Sequence, residues 1–199
     1  MRVSREQARE NRQNILRAAG RLFRERGIDA AGVDDITRAA GLTHGGFYGH
    51  FDSKQSLTAE AVAHALSISS EAWRNTSDSS RPEQAFRALI GRYLSPAHRD
   101  SPGRGCPLAA LGTEVARQPK TVRGSFTRGL ERMFETLSGI LPGPKKTERE
   151  AQAIATVATL VGSIVLARAV DDLELSDRIL KATASELKTR FAARWDFLA

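Results

Sequence analysis

The sequence predicts an all-α protein, and three observations predict it. Glycine and proline gather at Gly27, Gly41, Pro82, Pro96, Pro102 to Gly105 and Pro142 to Pro144, and they cut the 199 residues into pieces of helical length. Within those pieces apolar residues recur three and four apart, the period of one helix face. Runs of β-branched residues in strict alternation are missing. A hydrophobic content of 41% is enough for a real core, which excludes disorder as a whole, and the length fits one large or two small domains.

Ser4 followed by Gln7 is a capping-box pattern, after which Ile15, Leu16, Ala19, Leu22 and Phe23 share a face of a first helix that stops at Gly27. Val33, Ile36 and Ala40 lie on one side of a second helix, Gly41 supplies its left-handed stop, and Leu42 plugs the turn. Thr43 is placed to cap a short third helix. There Phe47 and Phe51, four apart, point inward and leave His44, Gly45, Tyr48 and Gly49 on the outward side. The first helix needs cover for its apolar stripe, and Val33, Ile36, Phe47 and Phe51 provide it, so a three-helix unit from about Ser4 to Phe51 follows. Two short helices joined by a tight glycine-containing turn form a helix-turn-helix, the geometry that enters a DNA major groove.

Asp52 and Ser53 offer the next N-cap, and Leu57, Ala61, Val62, Ala65, Leu66 and Ile68 carry a fourth helix to Trp73 or Arg74. The polar, serine-rich stretch from Asn75 to Arg81 reads as a loop. Pro82 opens a fifth helix with Phe86, Leu89, Ile90, Tyr93 and Leu94 inward. PAHRDSPGRG, from Pro96 to Gly105, cannot hold a regular helix. Cys106 and Pro107 then begin another, with Leu108, Leu111 and Val115 inward. After Pro119, Val122, Phe126, Leu130, Met133, Phe134, Leu137 and Leu141 make a long stripe that ends at LPGP. Two helices remain, about Thr147 to Val170, apolar on most sides, and about Ser176 to Phe197, for about nine helices in all. A helix apolar nearly all round must be surrounded, and a partner subunit supplies what the chain lacks. Two helices from each of two chains would form a four-helix interface on a two-fold axis, with Val157, Val161, Leu180, Leu187, Phe191 and Trp195 as its expected members.

The formal charge is +7, and its excess has a location: eight arginines stand against three glutamates from Arg2 to Arg26. A positive field there would act on phosphates, the bland alternative being a solvated helix face. One cysteine, Cys106, rules out an internal disulfide framework and suits a reducing cytoplasm. The four histidines are scattered without metal-ligand spacing, and neither metal nor cofactor is expected. The N-terminus lacks the apolar core of a signal peptide. The apolar run from Ala151 to Val170 contains Gln152, Thr156, Thr159, Ser163 and Arg168, which favours a buried helix over a membrane span, so no membrane partner is expected.

The pattern from Ile15 to Leu57, with ILRAAGRLFRERG, then VDDITRAAGLTHGGFYGHF, then DSKQSL, resembles the TetR (TetR/AcrR) family of one-component bacterial transcriptional regulators. GCPLAALGTEVARQP also resembles a segment common in one branch of that family. The resemblance implies an all-helical homodimer in which residues 1–52 are the helix-turn-helix DNA-binding domain. Residues 53–199 would bind a small-molecule effector and dimerise through the last two long helices. It implies that Thr43 bonds a phosphate or a base edge, that His44, Gly45 and Gly46 lie nearest the groove floor, and that Tyr48, His50 and Lys54 contact phosphates. The alternatives are Tyr48 packing on the first helix and His50 bonding the backbone. Gly49 departs from the family, where a larger residue is common. Gly45 and Gly46 each weaken a helix by roughly 1 kcal/mol relative to Ala, with close approach to DNA as the benefit.

The expected ligand cavity takes Phe86, Tyr93, Leu108, Leu111 and Phe126, together with Leu130, Phe134, Leu160 and Ile164, although an ordinary core would use the same residues. Cys106 joins them, placed where a helix N-terminus favours thiolate, and an inert buried thiol is the alternative. The expected function is a ligand-responsive DNA-binding transcriptional regulator, a repressor released from its operator by a small molecule. No nucleophile and base pair, metal spacing or phosphate loop supports an enzyme. The alternatives are a helical enzyme or an adaptor that has lost DNA binding.

Overall fold

The structure, a computed structural model, describes residues 4–78 and 81–195, the side chains of 193 and 194 excepted. Ten α-helices and one 3-10 turn account for almost all of the described chain. They are α1 (Arg5–Arg26), α2 (Val33–Ala39), α3 (His44–Phe47), α4 (Lys54–Asp78), α5 (Pro82–Tyr93), α6 (Pro96–Arg99), α7 (Pro107–Val115), α8 (Lys120–Ile140), α9 (Lys146–Ala169) and α10 (Leu173–Trp195), with the 3-10 turn at Pro102–Arg104.

Local chemistry sets these limits. Ser4 Oγ accepts the Gln7 N–H at 3.1 Å and starts α1, and Gly27, at φ 91°, ends it. Ser53 Oγ accepts the Ser56 N–H at 3.0 Å in the first turn of α4. That helix overruns its expected end by a turn. Thr76 and Ser77, read as loop residues, donate their hydroxyls to the carbonyls of Ala72 and Trp73 at 2.9 and 3.0 Å and continue the helix. Part of the expected loop, residues 79–80, lies outside the described residues, as does Phe197. The helix beyond the expected nine is α6, a single turn that Ser95 caps through the His98 N–H at 3.2 Å, in a stretch expected to hold none.

Contacts divide the chain into two compact units. Unit 1 holds residues 1–68 and 102–129, and unit 2 holds residues 69–101 and 130–199. In unit 1, Ile15, Leu16, Leu22 and Phe23 of α1 are buried, as are Ile36, Phe47, Phe51, Leu57 and Val62. In unit 2, Phe86 meets Phe191 and Trp195 at ring-centroid distances of 5.2 and 5.1 Å, and Leu89, Ile90, Met133, Leu160 and Ile164 are buried.

Among the described residues α9 is the helix long and apolar enough to cross a membrane, with a mean hydropathy of 1.6 in its most apolar window. Ala153, Val157, Leu160 and Ile164 turn its inner face into unit 2, while Ile154, Val165 and Leu166 remain exposed. Val157, Leu180, Leu187, Phe191 and Trp195 are buried within their own subunit because they lie on the inner stripes of α9 and α10. Val161 alone of the six is half-exposed.

Unit 2 also holds a polar cluster. The buried Arg99 guanidinium donates to Asp177 and Asp100 at 2.6 Å each and to Ser176 Oγ at 3.0 Å. The two carboxylates hold Arg99 firmly protonated. Arg168 in turn donates to the backbone carbonyls of Arg99 and His98 at 2.9 and 2.8 Å.

Candidate nucleic-acid interface

α2 and α3 are joined by a turn that the backbone closes itself. Leu42 N–H returns to Thr37 O at 2.9 Å, and Gly41 at φ 73° makes the reversal, a conformation that a side chain would resist. Ile36 and Phe47 are fully buried, and the Phe47 ring stacks on Phe51 at 5.8 Å. With that side anchored, the opposite side of α3 must face solvent. Tyr48 is 62% exposed, its ring edge-on to Phe47 at 5.1 Å and to His44 at 5.6 Å, so it is not packed on α1.

Of the expected contact residues, Thr43, His44, Gly45 and Tyr48 are exposed, and Gly46, His50 and Lys54 are half-buried. Thr43 stands at the N-cap position but makes no capping hydrogen bond, so its hydroxyl is not committed to the helix. Gly45 has nothing within 4 Å of where a Cβ would sit. Lys54, at the start of α4, donates to the Asp29 carbonyl at 3.1 Å, which holds its ammonium near the chain reversal between α1 and α2. His44 Nδ1 bonds Asp34 Oδ1 of α2. Neither Asp34 nor Asp29 stands out in the sequence, because each meets its partner only once the turns are closed.

The basic N-terminal run is partly spent inside unit 1. Arg12 pairs with Glu60 at 2.5 Å and lies over the Phe51 ring at 4.6 Å, Arg21 pairs with Glu25 at 2.9 Å, and Arg24 donates to Gly103 O at 3.0 Å. Burial lowers the Arg24 pKa, while Cys106 and Glu25 work to raise it. Arg5, Arg9, Arg17 and Arg26 remain exposed. Arg2 lies outside the described residues.

The ten residues expected to line a ligand cavity divide between the units. Cys106, Leu108 and Leu111 are buried and Phe126 is half-buried in unit 1. Phe86, Tyr93, Leu160 and Ile164 are buried and Leu130 and Phe134 half-buried in unit 2. Of these, Phe134 lines an open cleft of about 530 Å³ between α8 and α9, with Glu131, Ser138, Arg149 and Ile154. Cys106 occupies the N-cap position of α7 without making a side-chain cap.

A buried aromatic anchor beneath an exposed hydroxyl, imidazole and phenol, on two short helices with a glycine turn, defines a helix-turn-helix DNA-binding protein. Residues 15–61 match the family model described as bacterial regulatory proteins, tetR family. The chain is 34% identical over 180 residues to the probable HTH-type transcriptional regulator ArpR of Pseudomonas putida, covering 83% of this chain and 85% of that protein. It is 41% identical over 59 residues to the HTH-type transcriptional regulator AcrR of Shigella flexneri, a match that spans 30% of this chain and 27% of AcrR. A TetR-family transcriptional regulator from Agrobacterium tumefaciens shares the fold, with a TM-score of 0.77 over 92% of this chain and 98% of that one at 20% identity. The chain belongs to the TetR family of transcriptional regulators, and its relatives are regulators, not enzymes.

Proposed function

We propose that this protein is a homodimeric repressor that binds a two-fold symmetric operator through α3 and leaves it when a small molecule occupies the C-terminal part. The observation that carries the reading is the pairing of a fully buried Phe47 with a neighbouring Tyr48 that is 62% exposed. The first fixes the helix and the second leaves its phenol in solvent. Thr43, Tyr48, His50 and Lys54 are assigned to phosphates, and His44, Gly45 and Gly46 to the groove floor.

Dimerisation is assigned to the outer face of α9 and the start of α10, where Ile154, Val165, Leu166 and Leu175 are exposed and Ala151, Ala155 and Ala158 leave room for close helix approach. A second copy suits this face because helix-turn-helix readers meet half-sites one DNA turn apart. Residues 53–199 are assigned to effector binding and dimerisation, with Phe86, Tyr93, Leu160 and Ile164 the proposed effector contacts in unit 2. α4 is unbroken from Lys54 to Asp78, so its displacement by ligand is the proposed route by which the two copies of α3 lose their match to successive grooves. The proposed location is the cytoplasm, where the operator is.

Selection of duplexes from a random pool by the purified protein, followed by footprinting, tests the reading. A palindromic site protected by wild type and lost in Tyr48→Ala with Lys54→Ala supports it. A pool without enrichment, or undiminished protection by the double variant, would sink it.

A further inference from the structure

Asp34 stands in the first turn of α2 and His44 opens α3, ten residues later, yet their side chains meet. The Asp34 carboxylate bonds His44 Nδ1. Both side chains are in solvent, at 70% and 54% exposure, and His44 also meets the edge of Tyr48. A carboxylate in this place works against affinity, because it repels the phosphates of any duplex that α3 approaches. Stabilising the start of α2 does not require it, since Asp35, also in the first turn and paired with Arg38 at 3.6 Å, puts the same charge there.

What Asp34 does contribute is orientation. A carboxylate oxygen only accepts, so Nδ1 bears the hydrogen whether the ring is neutral or charged. The ring is then held by one nitrogen, and Nε2, across the ring, has no protein partner among the described residues. An exposed histidine without such a tie samples several rotamers, and fixing one reduces the ordering that DNA binding would otherwise require. Resting on the reading of α3 as the DNA-reading helix, we infer that Asp34 is a specificity-determining residue that acts through His44, presenting Nε2 to a base edge in the major groove. Asp34 is a positioning residue. The base contact itself belongs to His44.

The test profiles binding of full-length wild type, Asp34→Ala, Asp34→Asn, His44→Ala and the Asp34→Ala, His44→Ala double variant. The probes are the selected operator, every single base-pair substitution of it, and a scrambled duplex. Asp34→Ala is expected to lose about five- to tenfold of discrimination at one base pair in each half-site. It should bind scrambled duplex at least as tightly as wild type, because a repulsive charge is gone. Asp34→Asn retains an acceptor oxygen and is expected to keep the discrimination. His44→Ala should lose the preference at the same base pair, with no further loss in the double variant. Wild-type preferences in Asp34→Ala overturn the inference alone, as does weakening that is equal at all positions and on scrambled duplex, the mark of a folding role. Asp34→Asn behaving as Asp34→Ala overturns the hydrogen-bond account. A wild-type protein that selects no duplex overturns the DNA reading and this inference together.

Discussion

The Glu114 carboxylate accepts the backbone N–H of Ile28 at 2.6 Å, across 86 residues of sequence. Ile28 is buried just after α1 ends, and its N–H is one of the donors that a chain reversal leaves without a helical partner. Within unit 1 the segment from Gly103 to Glu114 is thus tied to the end of α1 twice, the second tie being Arg24 to Gly103 O. Glu114→Ala removes the acceptor and should cost about 1–3 kcal/mol, the penalty of a buried unpaired donor. Glu114→Gln keeps a carbonyl oxygen in reach and should recover most of it. Urea unfolding of the two variants against wild type decides the matter, and equal losses in both would point to charge instead of the bond.

Gly129 shows what close helix approach requires. A Cβ there would come within 2.5 Å of Leu66 Cδ1 and 2.6 Å of its Cβ, and Leu66 is fully buried. Replacing a mid-helix glycine by alanine ordinarily stabilises a helix by about 1 kcal/mol. Here overpacking opposes it at about 1–3 kcal/mol, so Gly129→Ala is expected to destabilise unit 1. A rise in the urea midpoint would show that α4 and α8 separate more easily than their contact suggests.

Gly45 gives the opposite sign. Its missing Cβ faces open space, so Gly45→Ala should strengthen α3 by up to about 1 kcal/mol. If the glycine serves close approach to the groove, the same variant should bind operator more weakly than wild type while melting at a higher temperature. Measuring both on one preparation separates the effects, and tighter operator binding would remove the close-approach role.

Those two glycines mark where the sequence stops being informative. Helical spacing alone places Ile15, Phe23, Ile36, Phe47 and Phe51 in the core, and all are buried, because burial on a helix follows a period of 3.6 that one sequence displays. The exposed site at Thr43, His44 and Tyr48 follows from the same arithmetic. Partners distant in sequence do not: the bonds from Asp34 to His44 and from Glu114 to Ile28 exist only after turns close, and nothing in either residue's neighbourhood announces them. The length of α4 is not legible for a local reason: Thr76 and Ser77 are turn-forming residue types, yet they satisfy their hydroxyls along the helix. The helical period puts Phe191 and Trp195 on one stripe of α10 but does not say what covers it, and within the subunit Phe86 meets both.

The outer face of α9 carries the next expectation. Leu166 is 58% exposed and Val165 39%, on a helix whose other side is already buried in unit 2. Leu166→Glu puts a charge on that face without entering the subunit core, so it should leave helical content unchanged. Sedimentation is expected to show monomers at concentrations where wild type is dimeric, with operator affinity reduced because two half-sites are no longer bound together. A dimer that survives Leu166→Glu and Val165→Glu together would place the interface elsewhere.

His98 ties stability to pH. Burial lowers its pKa below the ordinary histidine value. Its Nδ1 bond to Tyr93 O at 2.6 Å works in the other direction, and Arg168 and Arg92 lower the pKa further. Between the folded-state value and about 6.5 the unfolded chain therefore binds more protons at this ring than the folded one. Stability from this group is complete above about pH 6.5 and is lost as the pH falls through that value towards the folded one. The Arg99 cluster answers in a different window, because the Arg99 bond holds the Asp100 carboxyl below its usual range and its protonation matters only below about pH 4. Thermal melts from about pH 8 to about pH 5.5 should show the Tm of wild type falling faster than that of His98→Gln, which cannot take up the proton. Parallel curves over that range would mean that the ring opens to solvent before it charges, and that its burial contributes nothing to the acid sensitivity of unit 2.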